Sequence, residues 1–450
     1  MSLVFWGVLL GAFALLFFLA RKGLPLWARV LAGLVLGGVV GLLFGEAAGQ
    51  AKPIGDGFIN LIRMLIIPLI VTTLTTGMIA LGDPKRLGSL GLRTIALYLG
   101  TTTVAVFIGI LMAMIFNPGE GVDYASVGAT DESVVAEINQ RNEAAGAAQR
   151  TAAQQIVDVI PRNVVRAMGQ EDILAVIFFS IVLGLAILAA GDRGKAFGAV
   201  MESAADVVIT LTQGVMWLAP FGVFALMSWV LGTQGLGVLV NLGKLAIALY
   251  IACALHIFIV YGGLVTLLAR LNFFKFLRGM LDALTTAYST ASSSATLPVT
   301  IGNLTKNIGV GRAVAGSVAP LGATINMDGT SIYLGIVSLF AAQAVGIALT
   351  GPDIVAIAVT ATAASIGAAG IPSASLFLAI AVLTSFGVTS EQAVLIIALI
   401  FPFDRLLDMM RTLTNVAGDA TVATTVARWE KELDEDVLKG GEPAREKVPA

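Results

Sequence analysis

The chain contains a succession of apolar segments, each near the length of about 20 residues that an α-helix needs to cross a bilayer. Because backbone N–H and C=O groups find no water in the hydrocarbon core, only helices and closed barrels span it, and these segments predict helices. We expect seven uninterrupted spanning helices, at residues 3–20, 27–44, 58–81, 95–116, 173–190, 207–231 and 245–268. The sequence therefore predicts an all-α polytopic membrane protein.

The composition excludes several functional classes. Only 12% of the 450 residues are charged, about half the share found in soluble domains, and 57% are apolar. A formal net charge of -2 provides no basic surface for nucleic acid. The single cysteine, Cys253, can form no intrachain disulfide, and the single histidine, His256, leaves no cluster for zinc or haem. We therefore expect neither nucleic-acid binding nor metal redox chemistry.

Basic residues in short connections predict the orientation, because cytoplasmic loops carry an excess of Lys and Arg. These residues are Arg21, Lys22, Lys85, Arg86, Arg193, Lys195, Arg270, Lys275 and Arg278. The first segment lacks a preceding basic region and a small-x-small cleavage site, so we expect a retained helix rather than a signal peptide. We place Met1 and the polar stretch 117–172 outside a plasma (inner) membrane, and the tail from residue 430 as a solvated cytoplasmic extension.

A stripe of polar side chains lies within the last apolar segment. Asp408, Arg411, Thr412, Asn415 and Asp419 fall on one narrow face of a helix. Since a charged side chain at bilayer depth costs at least about 2.5 to 3.5 kcal/mol, such residues usually mark a pathway. The guanidinium suits a carboxylate, Asp408 an ammonium, Asn415 a second carboxylate and Asp419 a cation. The pattern fits an acidic amino acid; the alternative is a buried ion-pair network that only orders the helix.

Three interruptions lie within the apolar stretches before this stripe. Residues 322–330 read Gly-Ala-Thr-Ile-Asn-Met-Asp-Gly-Thr and predict a broken helix, because Gly, Asn and Asp are poor helix-interior residues. Its freed carbonyls suit a hard cation such as sodium, although a glycine kink with a packing role is the alternative. Residues 292–298 and 365–375 combine small residues with proline, and each predicts the tip of a helical hairpin turned toward an anion.

At these residues the sequence resembles the dicarboxylate/amino acid:cation symporter family, which includes the excitatory glutamate transporters and archaeal aspartate transporters. The resemblance covers residues 27–430. Its most specific parts are Ser-Ser-Ser-Ala-Thr-Leu-Pro at 292–298, Asn-Met-Asp-Gly-Thr at 326–330 and Asp-Met-Met-Arg-Thr-Leu-Thr-Asn-Val-Ala-Gly-Asp at 408–419. It implies eight family transmembrane helices and two re-entrant hairpins, here with one extra N-terminal helix. It also implies a homotrimer whose transport domains slide as elevators against a fixed scaffold.

The resemblance implies a division of the chain as well. The expected parts are an extra transmembrane helix at 1–24, scaffold helices at 25–90 and 173–240, a transport-domain helix at 91–118, an extracellular loop at 119–172, the main transport domain at 241–429 and a cytoplasmic tail at 430–450. In the family the first hairpin lies on the inner side, and the second acts as the extracellular gate.

The family's substrate residues transfer onto matching positions. By similarity, Arg411 binds the side-chain carboxylate with the help of Thr330, and Asp408 binds the amino group. The main-chain carboxylate is assigned to Asn415 and the hairpin tips. The implied substrate-binding set is Arg411, Asp408, Thr412, Asn415, Thr330, Ser293, Ser294, Ile371 and Ser375. The tip of the second hairpin is a departure, because many relatives have glycine at Ser373, at Ser375 or at both, and the hydroxyl of Ser375 can reshape the pocket.

Three sodium sites transfer in the same way. The implied ligands are Gly322, Asn326, Asn415 and Asp419 in one site, Thr324, Ser365, Ile366 and Ala368 in another, and Thr101, Thr102, Asn326 and Asp328, with Tyr98 nearby, in a third. The Asn-Met-Asp form favours sodium, because proton-coupled relatives tend to carry Asn-Leu-Asp. Asp419 supports the same choice, and dicarboxylate carriers tend to have Asn there and to lack the carboxylate of Asp408.

The sequence thus predicts a sodium-coupled symporter that imports L-aspartate or L-glutamate, with membrane lipid and further copies of the chain as partners. Nearer alternatives are carriers for neutral amino acids or for C4-dicarboxylates, with proton coupling in either; Arg411 argues against the first and Asp408 against the second. Another rival is an intramembrane aspartyl protease using two of Asp328, Asp408 and Asp419, although a neighbouring arginine keeps carboxylates ionised. A conductive channel is the last alternative.

Overall fold

The computed structural model describes residues 2–80, 84–122, 160–170, 173–235, 237–365 and 374–438. Within these residues the regular secondary structure is helical, apart from one isolated β-bridge, so the prediction of an all-α fold is confirmed. The α-helices are Ser2–Arg21, Leu26–Phe44, Lys52–Ala80, Pro84–Phe116, Val164–Gly169, Ile173–Ala189, Lys195–Trp217, Ala219–Gln234, Gly237–Leu255, Phe273–Gly279, Leu281–Thr290, Ser293–Asn303, Arg312–Ile325, Asp328–Val345, Gly351–Ser365, Ala374–Thr384, Ser390–Trp429 and Glu435–Leu438.

Five of the described helices are long and apolar enough to cross a membrane, or six if one bent pair is taken as a single span. They are Leu3–Arg21, Leu26–Leu61, Gly91–Phe116, Leu239–Leu268 and Arg312–Val345. In the last of these, 100% of the apolar window is buried inside the protein, whereas in the first only 17% is. The bundle therefore has a protein-lined interior, and the total number of spans stays a prediction.

The prediction of one continuous helix at residues 207–231 is wrong. The structure has two helices there, Lys195–Trp217 and Ala219–Gln234, which are bent by 51° relative to each other. The physical reason is Pro220, which has no backbone N–H and cannot bond the carbonyl four residues before it.

The predicted helix at residues 245–268 changes its winding. It is α-helical only to the end of Gly237–Leu255 and continues as the π-helical segments His256–Tyr261 and Leu264–Leu268. Such wide turns are frequent at functional sites. Here the first π-helical segment carries the fully buried side chains of His256 and Tyr261.

The predicted break at residues 322–330 is confirmed. Asn326 and Met327 separate Arg312–Ile325 from Asp328–Val345, and we call these two helices the broken helix. Neither of the two separating residues has helical backbone angles, with φ/ψ of -92°/79° and -109°/53°. The chain therefore presents irregular backbone in the interior of the bundle.

Both predicted hairpins consist of two helices, as far as the structure describes them. The first hairpin is Leu281–Thr290 with Ser293–Asn303, and at its tip Ala291 adopts a left-handed conformation with φ of 50°. The second hairpin is Gly351–Ser365 with Ala374–Thr384, and its tip at 366–373 lies outside the described residues.

The last helix, Ser390–Trp429, lies at the centre of the C-terminal half. It begins with a capping box, in which Thr389 Oγ1 accepts from the Gln392 amide at 3.2 Å and Gln392 Oε1 accepts from the Thr389 amide at 2.9 Å. Every residue from 414 to 427 is buried, and so is every residue from 328 to 342 in the second half of the broken helix. These two helices pack against each other and carry Asp328, Thr330 and the polar stripe from 408 to 419.

Close glycine packing joins two helices of the N-terminal half. Leu26–Phe44 carries Gly33, Gly37 and Gly41 at intervals of four residues, where it packs against Ala219–Gln234. A Cβ atom at any of these glycines would collide with a backbone carbonyl of the neighbouring helix. This spacing of small residues is typical of helices that approach closely in a membrane.

The N-terminal helix, Ser2–Arg21, lies against this pair. The ring of Phe13 contacts Phe221 and Phe224 edge to face, with centroid distances of 5.1 and 5.6 Å. Leu3 and Phe18 on other faces are exposed, as expected for a helix that faces lipid.

The beginning of the C-terminal tail packs against the rest of the chain, so a solvated extension from residue 430 is wrong for residues 430–438. The Gly311 amide donates to the Glu432 carbonyl at 2.7 Å, and the Asp434 amide donates to the Gly309 carbonyl at 2.8 Å. Val437 is buried. These bonds join segments more than a hundred residues apart, which no local sequence pattern reveals. Residues 439–450 lie outside the described residues.

We expect Gly37→Ala to destabilise the protein, because the new Cβ would lie 2.9 Å from Phe224 Cα and even closer to its carbonyl. The expected loss in the free energy of unfolding is about 1 to 3 kcal/mol, the usual cost of overpacking. Gly11→Ala is the matched control, since nothing lies within 4 Å of a Cβ there. Thermal unfolding in detergent measures both, and equal melting temperatures would contradict the packing described.

Candidate functional site

Arg411 lies at the centre of the site and is fully buried in the last helix. Its Nη2 donates to Asp404 Oδ1 at 2.8 Å and to Asp408 Oδ1 at 2.9 Å. Its Cζ lies 4.1 Å from the centroid of the Tyr333 ring, a cation–π contact with the second half of the broken helix. A buried cation needs partners of this kind, so two carboxylates and one ring face fix the guanidinium in place.

The same guanidinium retains donors for a further acceptor. Among the described residues, Nε and Nη1 of Arg411 have no hydrogen-bond partner, and neither has the Tyr333 hydroxyl. Buried polar groups are almost always hydrogen-bonded, so unpartnered N–H groups on a buried cation indicate a place for a ligand. A carboxylate matches best, because its oxygens accept charge-assisted bonds from a guanidinium.

The structure adds Asp404 to the residues that sequence reasoning selected. Asp404, Asp408 and Arg411 are spaced four and three residues apart on one helix face, and this spacing alone could have found the first of them. Asp408, expected beside an ammonium, forms an ion pair with Arg411. Its contact with a substrate amine stays a prediction.

A second polar cluster lies where the broken helix meets the last helix. Asn326 Nδ2 donates to Asp419 Oδ1 at 3.0 Å and lies 3.4 Å from the Asn415 carbonyl oxygen. Thr101 Oγ1 lies 3.5 Å from Asn326 Oδ1. The structure thus brings together four predicted cation ligands from three helices that are distant in the sequence.

Asp328 is fully buried and hydrogen-bonded at both carboxylate oxygens. The Thr102 hydroxyl donates to Oδ1 at 2.6 Å, which brings together two residues of the third predicted sodium site. The Tyr261 hydroxyl donates to Oδ2 at 2.7 Å, and His256 Nε2 lies 3.0 Å from the same oxygen. Sequence reasoning missed His256 and Tyr261, although an ionisable residue within an apolar segment is a functional indication by itself.

Glycines allow the polar groups of the second cluster to approach. A Cβ on Gly322 would collide with the Asp419 carboxylate and the Tyr98 hydroxyl, so these two groups flank that glycine. A Cβ on Gly418 would collide with the Asn326 amide. Any larger residue at either glycine would separate the last helix from its neighbours at the cluster.

Asn415 connects the two parts of the site. Its Oδ1 accepts from the Gly329 amide at 2.7 Å, and its Nδ2 donates to Met327 Sδ at 3.1 Å. A Cβ on Gly329 would collide with the backbone of Arg411. Met327, whose role the sequence pattern left unexplained, is therefore a direct contact between the break and the last helix. The predicted contacts of Asn415 with a carboxylate and with sodium stay predictions.

The hairpin tips are described only in part. Ser293 is buried, and Ser292 caps the helix that follows it, while Ser294 is exposed. Ser375, in the second hairpin, is buried and its hydroxyl has no hydrogen-bond partner among the residues described. The predicted residues Ile366, Ala368 and Ile371 lie outside the described residues.

The remaining predicted residues show only local contacts. The hydroxyls of Thr324 and Ser365 donate to carbonyls of their own helices, at 2.9 Å in both cases. Thr330 and Thr412 are buried. The roles predicted for these four residues stay predictions.

Known proteins match the chain along most of its length. The model of the sodium:dicarboxylate symporter family matches residues 26–429. The proton/sodium-glutamate symport protein of Geobacillus stearothermophilus is 34% identical over 411 residues, which are 91% of this chain and 95% of that protein. The protein of the same name from Bacillus subtilis (strain 168) is 35% identical over 405 residues, 89% and 92% of the two chains. C4-dicarboxylate transport protein 3 of Bradyrhizobium diazoefficiens is 35% identical over 418 residues, 92% and 91%.

We expect Asp404→Asn to destabilise the protein, because it removes one of the two charged acceptors of the buried Arg411, which then keeps its ion pair with Asp408. The expected loss in the free energy of unfolding is about 1 to 3 kcal/mol, the usual cost of removing the acceptor of a buried donor. Asp192→Asn is the control, since Asp192 pairs with Lys195 at the exposed surface, where ion pairs contribute little. Melting temperatures of both variants in detergent provide the measurement, and similar losses would contradict a structural role for the buried pair.

Proposed function

The chain belongs to the sodium:dicarboxylate symporter family, and on this premise we propose that it imports L-aspartate or L-glutamate together with sodium ions. The family and the relatives are transporters, so the protein is an integral membrane transporter of dicarboxylates or amino acids and not an enzyme. The intramembrane protease considered from the sequence is therefore set aside.

The observation that carries the proposed substrate is the buried guanidinium of Arg411, whose Nε and Nη1 have no hydrogen-bond partner among the described residues. A substrate carboxylate satisfies these donors with charge-assisted hydrogen bonds. A substrate with a neutral side chain would leave these N–H donors unsatisfied. Leaving a buried donor unsatisfied costs about 1 to 3 kcal/mol of binding free energy, and more when the donor is charged. Asp408, one turn before Arg411, supplies the negative charge for the ammonium group of an amino acid.

We propose that the substrate lies between the last helix and the two hairpin tips. We assign the side-chain carboxylate to Arg411 and Thr330, and we assign to the same space the hydroxyl of Ser375, which has no hydrogen-bond partner among the described residues. The groups proposed to complete the pocket are Asp408, Thr412, Asn415, Ser293, Ser294 and Ile371.

We propose that sodium binds in the polar cluster at the break. Carboxylate, amide and hydroxyl oxygens converge there, and hard cations prefer such ligands. Asp328 and Asp419 place two carboxylates in the buried interior, and a bound cation offsets their charge. The proposed ligands are Tyr98, Thr101, Thr102, Gly322, Thr324, Asn326, Asp328, Ser365, Ile366, Ala368, Asn415 and Asp419.

Asn415 and Met327 offer a physical route for coupling between sodium and substrate. Sodium that fixes Asn326 also fixes the neighbouring Asn415, which in turn bonds Gly329 beside the Arg411 backbone. Each ligand then stabilises the arrangement that the other needs, and the coupling is reciprocal. Inward movement of net positive charge draws on a membrane potential that contributes about 2.3 kcal/mol per charge per 100 mV.

We propose further that the chain works as a homotrimer with elevator motion. The packing supports a division of the helices into a scaffold group and a transport group. The helices of the scaffold group pack mainly on one another, and they are Leu26–Phe44, Lys52–Ala80, Ile173–Ala189, Lys195–Trp217 and Ala219–Gln234. The transport group consists of the broken helix and the last helix together with the elements that pack on them, which are Pro84–Phe116, Gly237–Leu255 and both hairpins. Motion of the second group as a unit would carry the whole candidate site.

C4-dicarboxylate transport is the second candidate function, because relatives of equal identity carry that name. A dicarboxylate would also satisfy Arg411. Without an ammonium group, however, its second carboxylate would meet the like charge of Asp408 if it occupied the same place. The names of other relatives include both protons and sodium, so the driving ion requires a direct test.

The first test is uptake of labelled L-aspartate into proteoliposomes. We expect an inward sodium gradient to drive uptake, an inside-negative potential to increase it, and excess L-glutamate to block it. L-serine and succinate should compete weakly, because the first lacks the carboxylate for Arg411 and the second lacks the ammonium for Asp408. Uptake driven by a proton gradient alone, or blocked only by succinate or serine, would overturn the proposed ion or substrate.

We expect Arg411→Gln to lower substrate affinity at least about tenfold while sodium binding persists, because charge-assisted bonds to the carboxylate are lost. Arg193→Gln, at an exposed position, is the matched control. Equilibrium binding of labelled L-aspartate measures the first effect, and the sodium-induced rise in melting temperature without substrate measures the second. Unchanged aspartate affinity in the Arg411 variant would refute its assignment.

A further inference from the structure

His256 and Tyr261 belong to neither of the proposed binding sets. His256 is the only histidine of the chain, and both side chains are fully buried. They lie at the two ends of one π-helical segment, with ring centroids 4.6 Å apart and planes at 81°. Polar rings buried in an apolar bundle are costly without a hydrogen-bond partner, and here both share the partner Asp328.

The bonds to Asp328 fix the orientation of its carboxylate. His256 Nε2, at 3.0 Å, and the Tyr261 hydroxyl, at 2.7 Å, both reach Oδ2. A carboxylate oxygen only accepts, so the imidazole donates from Nε2. Oδ1 is thereby turned toward the helix Pro84–Phe116, where the Thr102 hydroxyl donates to it at 2.6 Å.

The groups that lie near Asp328 Oδ1 are those proposed to bind sodium. Thr101 immediately precedes Thr102, and its hydroxyl oxygen lies 3.5 Å from Asn326 Oδ1. A half-turn of the Asp328 carboxylate about its Cβ–Cγ bond only exchanges two equivalent oxygens, whereas any smaller rotation moves both oxygens away from their donors. The donors on Oδ2 oppose such a partial rotation, because it would leave two buried donors unsatisfied.

We propose that His256 and Tyr261 are positioning residues for sodium, which orient Asp328 so that Oδ1 faces the ion beside Thr101, Thr102 and Asn326. The inference rests on the proposed sodium coupling. Carboxylates that bind metal ions are commonly held by hydrogen bonds from a surrounding layer of residues, whose loss typically costs about 10- to 100-fold in affinity. A space-filling role alone would be served equally well by leucine and phenylalanine.

Four variants separate positioning from packing. His256→Leu and Tyr261→Phe each remove one donor to Oδ2, whereas His256→Gln keeps an N–H near the position of Nε2. Tyr250→Phe is the matched control, since its hydroxyl lies on the preceding α-helix and donates to the Leu406 carbonyl at 2.9 Å. The measurements are the sodium dependence of labelled L-aspartate binding and the sodium-induced rise in melting temperature without substrate.

We expect His256→Leu and Tyr261→Phe to raise the sodium concentration for half-maximal binding about tenfold. Aspartate affinity at saturating sodium should stay unchanged, and His256→Gln and Tyr250→Phe should resemble the unaltered protein. A sodium dependence that is unchanged in both donor-removing variants would overturn the inference. So would equal impairment in His256→Gln and His256→Leu that saturating sodium does not restore.

The same experiment separates this inference from the proposed function. If the unaltered protein binds aspartate without any sodium dependence, the proposed sodium coupling fails and the positioning role fails with it. If the unaltered protein requires sodium but the His256 and Tyr261 variants keep its sodium dependence, only the positioning role fails. Tyr261→Phe preserves the ring, so it gives a result even if His256→Leu does not fold.

Discussion

The high cost of charge inside a bilayer is the constraint on which the rest of the structure depends. The last helix carries Asp404, Asp408 and Arg411 fully within the bundle, and each can exist there only with partners. The guanidinium binds both carboxylates and lies over the Tyr333 ring, which ties the last helix to the broken helix. The arrangement stabilises a cation and leaves its Nε and Nη1 without a partner among the described residues, so the stability of the fold and the proposed binding of a carboxylate depend on the same few atoms.

The second consequence of that constraint is the polar contact between the break and the last helix. At the irregular backbone, the side chains of Asn326 and Met327 bond side chains of the last helix, and the Gly329 backbone amide that follows the break donates to Asn415 Oδ1. Asn415 joins this region to the backbone of Arg411 through Gly329. A transporter must make the binding of ion and substrate interdependent, and a shared set of contacts is the simplest physical means of doing so.

The helices of the N-terminal half, such as Ser2–Arg21 and Leu26–Phe44, are held by apolar contacts and close packing rather than by buried charges. Several of their large apolar side chains are exposed, and close approach between helices depends on glycines such as Gly37, where any Cβ would collide with a carbonyl. The contrast in burial between the N-terminal helix and the broken helix separates an exposed apolar periphery from a protein-lined interior. Most of the described polar side chains with predicted roles lie in that interior, on helices that pack mainly with one another, whereas Ser294 is exposed.

The sequence alone determined the helical class, the break at residues 322–330, both hairpins and the polar stripe from 408 to 419, because helix length, periodicity and breaking residues are local properties. The sequence could not determine the angle of the bend at Pro220, which is 51°. Nor could it determine how residues 430–438 pack, because their hydrogen bonds join segments more than a hundred residues apart. Only the tertiary structure decided that Arg411 donates to Asp404 as well as to Asp408, and that His256 and Tyr261 contact the Asp328 carboxylate. Such pairings follow from how distant helices pack, and the spacing along one chain carries no record of which faces meet.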